Sequence, residues 1–147
     1  MGFLSLAIFH LAFTLAMVGF MTSIQLLVYP AFRHVREADF VEYLNRHGRG
    51  VTAPLILFAP AEIVLALLLW LQAPSGTEQT VAFISGLLLA IGWVSTLLWF
   101  GPFHGRLASE PYDPARIEQL ISTNWLRTII WWARGAFAVW LLFAVLP

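Results

Sequence analysis

Polar side chains that could do chemistry lie on one face of the last apolar stretch of the sequence. At 100° per residue, four of them fall within an arc of about 80° on a helix: Asn124, Arg127, Trp131 and Arg134. An arginine that faces lipid near the centre of a spanning helix costs about 2.5–3.5 kcal/mol on insertion scales. We therefore expect this face to meet other helices and to find its polar partners there.

Three histidines are predicted to gather at one end of the molecule. His34, His47 and His104 lie in the first and third connections between apolar segments, which alternate in direction and so share one side of a membrane. Because imidazole titrates near neutral pH, His104 or His47 is the expected proton donor or acceptor. Three aromatic residues are expected to form apolar walls around a substrate: Trp99, Phe103 and Trp131.

Glu62 is the acidic residue placed deepest in an apolar segment. It lies about ten residues into the second segment, roughly 15 Å at 1.5 Å per residue, and Arg134 is about as deep in the fourth. An unpaired carboxylate at this depth would be expected to protonate, so the simplest reading is a structural ion pair of Glu62 with Arg134. The alternative makes Glu62 the floor of a polar cavity, as a proton acceptor or a metal ligand.

A metal site and a haem site both stay open at this stage. His34, His47 and His104, with Glu62 below them, are side chains that hold iron, copper or zinc in proteins. The spacing matches no common metal motif, and the histidines lie near helix ends rather than on facing helical stripes, which disfavours haem. The sequence leaves the cofactor unknown: none, a transition metal bound by His and Glu, or haem.

The composition identifies the class of protein. The chain has 147 residues, of which 60% are hydrophobic and 11% are charged, against about 25% charged in soluble domains. This indicates an integral membrane protein with a single domain over residues 1–147. The formal net charge is zero, so no nucleic-acid partner is expected, and the absence of cysteine excludes disulfides and thiolate ligands.

Four apolar segments are long enough to span a bilayer, which takes about 20 residues. They are Phe3–Tyr29, Thr52–Leu71, Thr80–Phe100 and Trp125–Leu146. Asp113 followed by Pro114 predicts that the last helix begins well before its apolar part. Residues 36–47 carry apolar side chains on one arc and charged ones opposite, which predicts a short interfacial amphipathic helix. The predicted fold is an all-α integral membrane four-helix bundle with this extra helix between helices one and two.

The arginines predict the orientation. Six of the eight basic residues lie in the first and third connections: Arg33, Arg36, Arg46, Arg49, Arg106 and Arg116. By the positive-inside rule both termini then face away from the cytoplasm. The predicted location is a bacterial inner membrane, crossed several times.

Two short elements resemble a known group of proteins. Asn124-Trp125-Leu126-Arg127-Thr128 is similar to an Asn-x-x-Arg-Thr element on the last helix of small four-helix bacterial membrane proteins related to anthrone oxygenases. Residues 102–107 resemble a Pro-x-Asn-x-x-Leu element after their third helix, with His104 where anthrone oxygenases tend to have asparagine. The resemblance implies oxygen-dependent oxidation of a flat phenolic compound without a dedicated cofactor, with Asn124 and Arg127 in the site. In such a site, Arg127 is expected to bind a phenolate, enolate or carboxylate oxygen and Asn124 to orient it. A fainter likeness, through an early histidine comparable to His10, is to membrane-type protoporphyrinogen oxidases.

Three functions follow as hypotheses. The first is an oxidoreductase or oxygenase-like enzyme that acts on a small hydrophobic, phenolic or quinone-like substrate in a polar cavity open to the cytoplasmic leaflet. The second is a metal- or haem-binding factor for electron transfer or assembly, and the third is a non-catalytic membrane subunit. The expected partners are the lipid bilayer and the substrate, with a homo-oligomer left open.

Overall fold

The protein is a bundle of four long helices. The computed structural model describes residues 2–74 and 76–146. Its helices are α1 (Phe3–His34), α2 (Glu37–Gln72), α3 (Thr77–Ser109) and α4 (Pro114–Val145), and all four are long and apolar enough to cross a membrane. The predicted all-α four-helix bundle is therefore confirmed, and the architecture is that of a multi-pass membrane protein.

Each helix packs against two neighbours. α1 contacts α2 and α4, and α3 contacts the same two helices, so the helices follow one another around the bundle. Small residues allow a close approach: a Cβ atom on Gly135 of α4 would lie 3.1 Å from Val18 Cγ2 of α1. The outer surface is apolar, with Leu27 and Leu98 at least 70% exposed. Apolar side chains outside and small ones between helices are typical of packing in lipid.

The amphipathic segment differs from its prediction. Residues 37–47 are helical, with Phe40 and Leu44 buried, but they continue directly into α2 instead of forming a separate interfacial helix. Gly48 and Gly50 weaken a helix by about 1 kcal/mol each without ending it. Packing of Phe40, whose ring centre lies 5.1 Å from that of Tyr112, favours the extended form. The bundle therefore continues beyond the apolar part of α2.

The arginine-rich end is held together by charged contacts. Arg33, at the end of α1, pairs with Glu118 near the start of α4, and Arg116 pairs with Glu110. α4 starts early, as predicted: Asp113 caps it by accepting a hydrogen bond from Ala115 N at 2.9 Å. The end of α1 and the start of α4 thus lie side by side.

Two π-helical turns interrupt otherwise regular helices. They cover Ile24–Val28 in α1 and Thr96–Phe100 in α3. Each ends two residues before a proline, Pro30 or Pro102, which lacks the N–H group that an α-helix would use there. A Cβ atom on Gly101 would lie 3.3 Å from Thr96 O, so glycine suits the turn in α3. π-turns occur frequently at functional sites.

Candidate functional site

A cavity of about 690 Å³ lies between α2 and α3 and is closed at the back by α1 and α4. Its walls are mainly apolar: Met17, Met21, Ile24, Leu44, Leu55, Trp93, Phe100 and Trp131. Eight polar residues also line it: Tyr29, Asn45, His47, Arg49, Thr52, Thr96, His104 and Arg127. The volume and the small number of convergent polar groups are typical of a site for a small organic molecule.

The mouth of the cavity is a lateral gap between α2 and α3. The lining residues Arg49, Thr52 and Ala53 of α2 are exposed, as are Gly101 and Gly105 of α3. This gap lies near the arginine-rich end, where the apolar surface gives way to charged residues. The cavity therefore has a lateral opening at this boundary.

Arg127 is a buried guanidinium that has no carboxylate partner in the described part of the chain. Its Nε and Nη2 donate to Asn124 Oδ1 at 2.9 and 2.6 Å, and Nη2 also donates to the Tyr29 hydroxyl at 3.2 Å. Nη1 donates to Thr96 Oγ1 at 3.2 Å, which leaves one of the five N–H groups of arginine free. The guanidinium carbon lies 3.7 Å from the centre of the Phe100 ring. The positive charge is oriented by neutral groups alone.

A chain of amides holds Arg127 from behind. Asn124 Nδ2 donates to Gln25 Oε1 at 2.7 Å, and Gln25 Nε2 donates to the backbone oxygen of Ile121 at 3.1 Å. Asn124 is fully buried and does not line the cavity. Asn124 is predicted to orient the ligand, but in this structure it orients Arg127. Gln25 precedes Tyr29 by one turn, and both belong to or border the π-turn of α1.

Three rings meet at the side of the cavity. The centres of Tyr29, His47 and His104 are 5.6 to 5.9 Å apart, and the two imidazoles are stacked. His104 Nδ1 lies 2.7 Å from the backbone oxygen of Phe100, which can only accept, so Nδ1 carries the proton. The opposite atom, Nε2, is buried and has no partner, and the same is true of Trp93 Nε1. Residues that line the cavity thus carry a free acceptor, His104 Nε2, a free donor, Trp93 Nε1, and one free N–H group on Arg127.

The structure brings together most of the predicted site residues, but not all. His47, His104, Arg127 and Trp131 line the cavity, with Asn124 behind them. His34 is exposed instead, because the turn that ends α1 places Phe32 inward. Trp99 and Phe103 are predicted to line the site, but they do not line the cavity. They stack on each other on another face of α3, because the π-turn gives the inward position to Phe100.

The predicted metal site does not assemble. Within residues 2–74 and 76–146, no group of three or more His, Asp or Glu side chains is placed to hold a metal ion. His34 is separated from His47 and His104 by its exposed position, and Glu62 belongs to a different part of the bundle. The tentative ligand set of His34, His47, His104 and Glu62 is therefore wrong as a set.

Glu62 forms the predicted ion pair with Arg134, at 2.8 Å between Oε1 and Nη1. Both residues are at most 1% exposed. Arg134 also donates from Nε to Ser85 O at 3.3 Å and lies 4.5 Å from the centre of the Trp131 ring. Neither residue lines the cavity, so Trp131 separates this pair from the site around Arg127.

Two residues of the site were not singled out from the sequence as functional. Gln25 lies within the first apolar segment predicted from the sequence, and Tyr29 marks only the end of that segment. The available signal was the combination of a glutamine and a tyrosine, one turn apart, next to a proline inside an apolar helix.

No family model matches this sequence, and neither a curated protein nor a solved structure shows significant similarity to it.

Proposed function

We propose that this protein is a membrane enzyme that binds a small, flat, hydrophobic compound with a phenolic or quinone-like oxygen and oxidises it with O2. The observation that supports this best is the buried Arg127, which has no carboxylate in the described chain and lines a cavity together with the unpartnered His104 Nε2. A buried charge without a counterion is costly, and an anionic ligand would supply one.

The free polar atoms define the ligand that fits. The N–H groups of Arg127 and Trp93 require an oxygen that accepts hydrogen bonds, while His104 Nε2 requires a hydroxyl or an acidic C–H that gives up a proton. Apolar side chains cover the rest of the cavity. A phenol or its tautomeric ketone carries both functions on one flat skeleton.

The proposed chemistry begins with proton transfer from the substrate to His104 Nε2. The resulting phenolate or enolate is stabilised by Arg127, whose charge acts strongly in an apolar site. Such an electron-rich anion is the form that reacts with O2. For a substrate with a methylene group next to the ring, one oxygen atom ends as the new ketone, and the other leaves as water with the two methylene hydrogens. This is the class of reaction that the resemblance to anthrone oxygenases implies.

The orientation of the site is part of the proposal. If the arginine-rich end faces the cytoplasm, the gap between α2 and α3 opens to the cytoplasmic leaflet. A lipid-soluble substrate would then reach Arg127 without leaving the membrane.

The test is binding of a hydroxylated anthrone probe to the purified protein in lipid nanodiscs, together with oxygen consumption. Arg127→Gln should weaken binding about 10- to 100-fold, the equivalent of one hydrogen bond to a charged group. Arg106→Gln is the matched control, because Arg106 is exposed on α3 and does not line the cavity. His104→Gln should keep most of the binding and lose about 10²- to 10⁴-fold in rate.

Two results would contradict the proposal. The first is an Arg127→Gln protein that binds the probe as tightly as the native protein does. The second is tight binding by the native protein with no oxygen consumed for any member of a panel of phenols and hydroquinones. The latter outcome would leave a binding protein for hydrophobic compounds instead of an oxygenase.

A further inference from the structure

The cavity has two chemically different parts. Its titratable and charged side chains all lie in the part nearer the arginine-rich end: Tyr29, His47, Arg49, His104 and Arg127. The part nearer the middle of the bundle is lined by apolar side chains: Met17, Met21, Leu55, Ile56 and Trp131. Met17, Met21 and Trp131 belong to one hydrophobic core cluster, with Leu55 packed against it, whereas Tyr29 belongs to another cluster. The cavity therefore connects a polar part with an apolar part.

The apolar part extends well beyond the polar groups. Met21 lies eight residues before Tyr29 in α1, and Leu55 lies eight residues after His47 in α2. Because α1 ends and α2 begins at the arginine-rich end, both steps lead away from it, by roughly 12 Å at 1.5 Å per residue. A single phenolic ring held among the polar groups covers only the polar part of the cavity.

The apolar part suits a flexible hydrocarbon chain. Met17 and Met21 are two of the three methionines in the sequence, and methionine adapts its shape to irregular apolar partners. Ile56 lines the cavity and is 68% exposed, so the gap between α2 and α3 continues down to this level. The end of a long chain can therefore continue into the surrounding lipid, which is as apolar as these side chains.

We infer that the ligand of this cavity is an amphiphile, a phenol or quinol ring that carries a long apolar chain. The ring oxygen lies at Arg127 and His104, and the chain lies against Met17, Met21 and Leu55. Such a compound already has this orientation in a leaflet, with its polar ring near the charged boundary and its chain towards the bilayer centre. The inference rests on the proposed function, because it takes the phenolic oxygen to lie at Arg127. It adds the substrate class, a lipid-like compound with a hydrocarbon tail.

Photo-cross-linking in nanodiscs locates the chain. One probe is para-nonylphenol with a diazirine at the end of its chain, and a second carries the diazirine next to the ring. The chain-end probe should label the peptides that contain Met17, Met21 or Leu55, and excess unmodified para-nonylphenol should suppress this labelling. Nonane with the same diazirine has no ring, so it should label lipid-facing residues such as Leu98 instead.

Variants of the polar part test whether the ring directs the chain. Arg127→Gln should reduce labelling by both probes about 10-fold or more, whereas the control Arg106→Gln should not. If the ring probe labels the polar part while the chain-end probe labels only lipid-facing residues, the inference is wrong and the proposed function stands. If neither probe labels the cavity and Arg127→Gln changes nothing, the proposed function fails, and this inference fails with it.

A pair of variants in α2 tests the apolar part separately. Leu55→Trp places a larger side chain in this part, so labelling of Met17 and Met21 by the chain-end probe should fall about 5-fold or more, with labelling by the ring probe retained. Leu57→Trp is the matched control, because Leu57 is 65% exposed and does not line the cavity. Equal chain-end labelling in the two variants would overturn the inference.

Discussion

Two arginines on one face of α4 have opposite environments. Arg134 is fully buried against Glu62, whereas Arg127, two turns earlier, has only neutral partners and an aromatic ring. The sequence could predict this difference in part, because Glu62 is the one acidic residue within the four apolar segments and can neutralise one guanidinium. The sequence could not show that Gln25 and Tyr29 would position Arg127. The Asn124–Gln25 and Arg127–Tyr29 contacts each join residues almost 100 positions apart.

The stability of the protein should depend on the two arginine sites very differently. Glu62→Gln leaves Arg134 as a buried charge without a counterion, and we expect a loss of about 3–5 kcal/mol in the free energy of unfolding. Arg127→Gln removes a charge that has no counterion but leaves the buried Asn124 Oδ1 without its donors, so it should cost less than Glu62→Gln, about 1–3 kcal/mol. Both are measured by denaturant unfolding in the same detergent, with the exposed Glu42→Gln as control.

Equal losses for the two variants would contradict this contrast. They would mean that Arg127 stabilises the fold as much as the ion pair does. Arg127 would then need no ligand to neutralise it.

At the level of the helices, the π-turns decide which side chains reach the site. Thr96 and Phe100, which both contact Arg127, are the first and last residues of the π-turn in α3. The sequence predicted Trp99 as a wall of the site, but Trp99 is 44% exposed on the outside. Pro30 and Pro102 indicate that the helix is irregular nearby. Proline alone does not determine whether this irregularity is a π-turn or a kink. The helices were therefore predictable, and the exact faces were not.

The gap between α2 and α3 should control access to the cavity. A Cβ atom at Gly48, which lines the cavity, would meet no atom within 4 Å, so Gly48→Phe can fold with its ring in the mouth. A ring in the mouth obstructs entry, so we expect the association rate of the anthrone probe to fall by about one order of magnitude or more. The measurement is stopped-flow association of the probe with the protein in nanodiscs.

Gly19→Phe is the matched control for the mouth. Gly19 is exposed on α1, has equally open surroundings and does not line the cavity. Its association rate should equal that of the native protein. If Gly48→Phe binds the probe at the native rate, the substrate enters by another route.

For the whole molecule, composition and the length of the apolar segments were sufficient to predict the bundle. Lipid is a uniform solvent, so hydropathy alone locates helices that must satisfy every backbone group internally. The joining of residues 37–47 to α2 was not predictable in this way, because it depends on Phe40 packing against Phe32 and Tyr112 from distant parts of the chain. The helices thus continue past the apolar region at one end of the bundle, and the mouth of the cavity lies at that boundary.

The distribution of arginine residues predicts how the bundle is oriented in the membrane. The arginine-rich end carries six of the eight basic residues, and the connection at the opposite end, residues 72–79, carries none. Arginine resists translocation across an energised membrane, so the arginine-rich end should stay in the cytoplasm. Because the chain lacks cysteine, a single introduced cysteine reports its own side. In spheroplasts, a membrane-impermeant maleimide should label Gln79→Cys at once and Glu37→Cys only after permeabilisation, as both residues are exposed at opposite ends of the bundle. Labelling of both variants after permeabilisation controls for reactivity. The reverse pattern would place the cavity mouth in the outer leaflet, and the substrate would then have to reach Arg127 from outside the cell.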